Sequence, residues 1–341
     1  MAFVFRQFYF RKPVVVALCI GIIFQYSACT SRKVSPEQSR KILKAFDYEL
    51  IQIANRFSNT QAFRAIMLAR KLQGVQLPFL STNDTLAETN LATYNLQLAK
   101  GVFYFSSLDS LPQKTANSDS LILVFPSGNK ESDAPYKMII SEFAERQTDL
   151  GMLFPEAFEA VIFKGDQKVG SLKYSASFKH EMPASVSINI NAGNFNIEVQ
   201  LETIFRKKKS LIEIHFTLHE NDKQLILVTL DTEVAETKTG SLAYDKKHIE
   251  IEVFPLNVIV DSEYNFSEGK VTDFFREFND QSVIKLFDTE GQMLGNVKLE
   301  QTEGRSRINL MMYYNDGSSE NLEDFLLTVK KVLNMKTSMP G

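Results

Sequence analysis

Hydrophobic positions recur along this chain with two different periods. From Ile42 they fall three and four apart: Ile42, Phe46, Leu50, Ile53 and Phe57, then Phe63, Ile66 and Met67. That spacing is one face of a 3.6-residue helix. Ser35-Pro36-Glu37-Gln38 opens it, because Ser35 can cap, Pro36 suits the first helical position and Gln38 lies three past the cap. Asn59-Thr60 offers a second cap and Gly74 ends the run, so the spacing predicts a helical hairpin over 36–73. Leu86 to Lys100 reads either as a third helix stopped by Gly101 or as a loop feeding a strand. The whole of 36–100 is read as an N-terminal helical region.

Beyond Gly101 the period changes from about 3.6 to 2. Leu172, Tyr174, Ala176 and Phe178 alternate with Lys173, Ser175, Ser177 and Lys179. Val186, Ile188 and Ile190 alternate with Ser187 and Asn189, and Phe195, Ile197, Val199, Leu201, Thr203 and Phe205 with Asn196, Glu198, Gln200 and Glu202. The pattern continues through Ile212 to Leu218 and Ile226 to Val234, with further strand candidates at 248–260, 283–288, 292–300 and 306–314. Sustained alternation means strands with one apolar and one wet face, as in antiparallel sheet. The short turns Gly165-Asp166, Ala192-Gly193-Asn194, Lys207-Lys208 and Asn221-Asp222 make a meander the simplest topology. Val271 to Phe278 reads as a short helix. After the Asn315-Asp316-Gly317 turn, Ser318 or Ser319 can cap a last helix carrying Leu322, Phe325, Leu326, Val329, Val332 and Leu333 on one face. The expected class is α+β: an antiparallel meander, as a curved sheet or half-barrel over 101–341, with the helical hairpin and this C-terminal helix as covers for its apolar face. On that face assignment, Leu201→Asp should unfold the sheet and Glu202→Lys should be tolerated.

The first residues follow neither period. Arg6, Arg11 and Lys12 precede an unbroken apolar run from Val14 to Phe24, and no acidic residue occurs before Cys29. A membrane-crossing helix needs about 20 apolar residues, and this run is shorter. A basic head, a short apolar middle and small residues at the end are the parts of a secretory signal. The closing Ser27-Ala28-Cys29 resembles the lipobox of bacterial lipoproteins, with Tyr26 where that pattern has an aliphatic residue. The resemblance implies a signal peptide over 1–28, lipidation at Cys29 and a tether over 29–35. Several acyl chains at ~0.8 kcal/mol per buried methylene make a durable anchor. The other cysteine, Cys19, would leave with the signal, so the mature chain could form no internal disulfide. A plain cleaved signal and an uncleaved anchor are the alternatives.

Charge changes the picture little. The chain carries 38 basic and 41 acidic residues, a formal net charge of −3. Both signs are interspersed, which argues against a nucleic-acid surface. There is no Trp and there are 27 Phe, so much of the core should be Phe. The length after processing suffices for one large domain or two small ones.

Gly101-Val102-Phe103-Tyr104-Phe105, then Ser118-Asp119-Ser120-Leu121-Ile122-Leu123-Val124-Phe125-Pro126, and finally Tyr314-Asn315-Asp316-Gly317 are similar to motifs of a group of uncharacterised β-rich lipoproteins from Bacteroidetes. The resemblance covers roughly residues 100 to 335. It implies an envelope location and an antiparallel β-rich body; it implies no activity and no catalytic residue.

Candidate chemistry is sparse. His215 and His219 invite a zinc reading on a helix, but Phe216 follows the first His where a protease motif has Glu. On a strand they would lie about 13 Å apart, too far for one ion. His180 and His248 read as isolated residues at strand edges or turns. No Gly-x-Ser-x-Gly elbow, phosphate-binding glycine loop or calcium loop occurs. Glu198, Glu202 and Glu213 form an acidic strip, the pattern of a wet strand face and only remotely a glycosidase pair. Arg206, Lys207, Lys208 and Lys209 form a basic run between two strands. It could contact an anionic lipid surface, or be a solvated tip that deters edge pairing.

These readings predict an exported, lipid-anchored envelope protein, facing the periplasm or on the outer membrane. It would be non-enzymatic, without a cofactor or metal. Its expected partners are the membrane, through the N-terminal lipid, and a lipid or another envelope protein, with no nucleic acid. The rival is a structural lipoprotein with a fully packed core and no ligand; a hydrolase is the remote third.

Overall fold

In a computed structural model, the structure describes residues 34–74, 99–128, 133–147, 153–179, 182–236, 242–264, 274–301 and 308–331. The signal, Cys29 and the 75–98 ambiguity lie outside the described residues. Sixteen strands form one mostly antiparallel open sheet, with few helices. The helices are α1 (Pro36–Ser58), α2 (Gln61–Ala69) and α3 (Phe274–Gln281).

The strands are β1 (Gly101–Tyr104), β2 (Gln113–Ala116), β3 (Leu121–Phe125), β4 (Tyr136–Gln147), β5 (Leu153–Lys164), β6 (Gln167–Lys179), β7 (Met182–Ala192) and β8 (Phe195–Ile204). There follow β9 (Ser210–Glu220), β10 (Lys223–Glu236), β11 (Leu242–Val253), β12 (Leu256–Ser262), β13 (Ser282–Asp288), β14 (Met293–Gln301), β15 (Ile308–Tyr314) and β16 (Ser319–Asn321). From β3 to β16 the strands lie in chain order, as short turns between alternating segments require. The meander breaks at one end, where β1 pairs parallel with β3 and antiparallel with β2. The expected single strand at 248–260 is two strands joined at Phe254-Pro255. The chain reverses there into an antiparallel hairpin, with Val253 opposite Leu256.

The chain forms two compact units. The first takes in Asn55–Leu201 and Leu218–Lys223. Its core joins Ala65, Ala69 and Leu72 to Phe105, Leu121, Leu123, Phe125, Met138, Ile140, Phe158 and Ile162. Thr60 caps α2 by accepting from Phe63 N (3.2 Å), as the sequence suggested. Helix α2 presents alanines to β6 because the approach is close. A Cβ at Gly170 would sit 2.6 Å from Ala62 Cβ and 3.0 Å from Asn191 O.

The second unit takes in α1 up to Ala54, Glu202–Thr217 and the chain from Gln224. Its core stacks Val258, Val260, Ile284, Leu286, Val297, Leu299, Leu310 and Met312 from the sheet against Leu43, Phe278, Leu322 and Leu326. Ser35 accepts from Gln38 N (3.3 Å) at the start of α1. The buried line of α1 differs from the expected one, because it includes Ser39, Leu43 and Asp47. The two polar residues there have backbone partners. Ser39 Oγ donates to Leu294 O (3.3 Å). Asp47, only 5% exposed, accepts from Leu327 N (2.9 Å), Thr328 N (2.8 Å) and the Thr328 hydroxyl.

The C-terminal segment also departs from expectation. Ser318 does not cap a helix; its hydroxyl and backbone N–H both donate to Asp316. Ser319 begins β16, which pairs with β15. A 3-10 turn follows at Leu322–Asp324, where Asn321 accepts from Glu323 N (3.0 Å). Helical backbone begins only at 327 and is described to 331. Asp47, distant in sequence, supplies the acceptor for the first free N–H groups.

Candidate functional site

The most distinctive surface lies in the first unit, on β6, β7 and β8. Register places Leu172 opposite Ile190, Tyr174 opposite Ile188 and Ala176 opposite Val186. Ile197, Val199 and Leu201 add the β8 row. All of these side chains are half-buried, and Leu172 and Tyr174 pack against the first core. The strip begins where the first core ends: Tyr174 stacks on Phe158 with ring centroids 5.4 Å apart. Burial there pushes the Tyr174 phenol up to about 12, because an apolar setting disfavours the phenolate. The strip is therefore apolar in chemistry, and Tyr174 marks its desolvated end.

The reverse side of these strands is a polar ladder built largely of Ser and Asn, with Lys173 and Glu198 among them. Ser177 and Ser185 share a hydrogen bond (2.7 Å). Asn189 Nδ2 donates to Glu198 (3.2 Å), and Asn191 and Asn196 continue the network. Glu198 is thus held by an amide. Among the acidic strip, Glu202 is exposed and Glu213 half-buried.

His215 and His219 both lie on β9, a strand, as the period-2 pattern predicts, so the helical zinc spacing does not arise. His180 lies outside the described residues. His248 is not an isolated turn residue; it sits inside β11, directly across from Asp231 on β10 and Asp261 on β12. Its Nδ1 lies 2.6 Å from Asp261 Oδ1 and its Nε2 2.9 Å from Glu250 Oε1. Partial burial works against the charged ring, but the two carboxylates outweigh it and raise the His248 pKa. Both ring nitrogens are engaged, which leaves neither free for a substrate. Sequence reading missed this cluster because Asp261 becomes a neighbour only through register.

On the core side of the same strands, Thr232, Lys247, Ser262 and Ser282 form one line across β10–β13. Ser262 and Ser282 share a hydrogen bond (2.7 Å). Lys247 Nζ donates to Tyr244 O (3.1 Å) and Tyr264 O (2.5 Å). Desolvation lowers its pKa to about 8, with Asp245 opposing.

The basic run forms the connection from β8 to β9, and all four side chains are exposed. It does not act as one group. Lys209 Nζ is clamped by Glu233 (3.1 Å) and Asp245 (2.6 Å). Arg206, Lys207 and Lys208 are left as the outward charges. No described helix is long and apolar enough to cross a membrane. What the strands define is a β-rich protein built on a mostly antiparallel open sheet, with no group of three or more His, Cys, Asp or Glu placed to hold a metal ion among the described residues. The chain matches no family model, no curated protein and no solved structure.

Proposed function

We propose that this chain is a lipid-anchored envelope protein, of the lipoprotein type its motifs resemble, that binds a hydrophobic ligand or partner without catalysis. In this reading Cys29 carries the anchor and the chain faces the periplasm or sits on the outer membrane. In the same reading the sheet curves, and the helical hairpin and the C-terminal segment cover parts of its apolar side. The observation that carries the binding role is the half-buried apolar strip on β6, β7 and β8. Contiguous apolar surface of this kind is what ligand and partner sites use. The rival, a purely structural lipoprotein, draws support from the second unit, where Leu322 and Leu326 fill the sheet's apolar face.

Mass spectrometry of the purified full-length protein tests both halves. The expected result is a mature N-terminus at Cys29 bearing acyl groups, with co-purifying lipid that is lost in Ile188→Asn. An unmodified Cys29 overturns the anchor. Equal lipid on the wild type and Ile188→Asn overturns the strip as the site.

A further inference from the structure

We infer that the β8–β9 tip is a docking element for a bilayer rich in anionic phospholipid. The inference rests on the envelope reading only for the presence of a membrane; it does not depend on the apolar strip holding a ligand. Three observations carry it. Arg206, Lys207 and Lys208 are exposed, and among the described residues no carboxylate pairs with them. Three adjacent like charges repel one another, so they gain from an external anion rather than from each other.

Lys209 next to them is paired with Glu233 and Asp245, so the net positive charge of the tip rests on the other three. Ile204 at the end of β8 is 40% exposed beside them. A basic cluster next to an exposed aliphatic side chain is complementary to a headgroup layer over acyl chains.

The other role for a basic tip is to keep a sheet edge from pairing. That role needs an edge strand. β8 and β9 lie in mid-sheet, with β7 and β10 as their outer neighbours. These charges therefore guard no edge.

Amine acetylation footprinting of the full chain, read by peptide mass spectrometry, tests the tip directly. Vesicles of phosphatidylglycerol with phosphatidylcholine should protect Lys207 and Lys208, and vesicles of phosphatidylcholine alone should not. Lys173, on a β6 wet face, is the reference that neither vesicle protects. Protection should vanish in 1 M NaCl, since it is electrostatic. Arg206→Glu should require roughly 30-fold more anionic vesicle for half-protection of Lys208. The salt arm uses the unsubstituted tip, so a folding defect in the variant cannot mask the result. Equal protection by both vesicle types, persistence in high salt, or no protection by either overturns the inference. The state of Cys29 and the co-purified lipid are read separately, so their failure and this one are distinguishable.

Discussion

The sheet's apolar face meets two different fates. Across β12–β15, Val258, Val260, Ile284, Leu286, Val297, Leu310 and Met312 are buried under α1, α3 and the C-terminal segment. Across β6–β8, Ile188, Ile190, Ile197 and Val199 are only half-buried. The two stretches are written in the same period-2 code with the same aliphatic residues. Alternation declares which face is apolar; it does not say what lies on that face. Full burial of a Leu or Ile contributes about 1.5–3 kcal/mol, so each side chain of the first stretch contributes more to stability than one of the second.

The largest expected effect follows from that contrast. Leu286→Asp would place a carboxylate at a site 2% exposed, with a cost above about 4 kcal/mol. The second unit should then fail to fold. Ile188→Asp keeps partial hydration and should cost about 1–2 kcal/mol. Leu201, expected from sequence to be intolerant of Asp, is also half-buried and should behave like Ile188. Urea melts of the three variants check this; similar midpoints for Leu286→Asp and Ile188→Asp would erase the distinction between the regions.

A smaller effect tests how the packed region acquires its cover. Asp47→Ala removes the acceptor shared by Leu327 N, Thr328 N and the Thr328 hydroxyl. Leaving buried donors unsatisfied should cost about 2–4 kcal/mol. Ser319→Ala should change stability by less than about 0.5 kcal/mol, because Ser319 caps nothing. If thermal melts show the reverse order, the C-terminal segment is held by its own local signals.

This pair also marks how far the sequence could be read. The helix starts at Ser35 and Thr60, the alternation of β6 to β10 and the turns at Gly165 and Asn221 are local, and local chemistry was enough to read them. Nothing local marks Ser39 and Asp47 as buried positions of α1, because their partners, Leu294 and Leu327, are remote in sequence. The same holds for the parallel β1–β3 pairing, which depends on where β2 goes. Of the candidate sites, the basic run was legible as a run, but its division was not, since Glu233 and Asp245 reach Lys209 from later strands. The acid–imidazole cluster was invisible until register aligned His248 with Asp261.

That cluster supplies the finest contrast between the regions, now on their wet faces. The β6–β8 ladder of Asn189, Asn191 and Asn196 around Glu198 is mostly amide. The β10–β12 face sets Asp231, Glu250 and Asp261 around His248, with Lys246 and Glu263 alongside at 3.4 Å from each other. The folded pKa of His248 is raised above its ordinary 6.5. The folded state therefore holds this proton more tightly than the unfolded chain does. Its contribution is fully present below about pH 6 and is lost as pH rises through the folded pKa. The side chain is 40% exposed, so screening limits the contribution to under about 1 kcal/mol. His248→Asn should flatten the stability profile between pH 6 and 8 and leave the pH 8 value nearly unchanged. Urea midpoints at pH 5.5, 6.5, 7.5 and 8 in wild type and variant measure it. A wild-type profile that rises across this window would mean that Asp261 and Glu250 do not hold the imidazolium, and the wet faces of the two regions would then be alike.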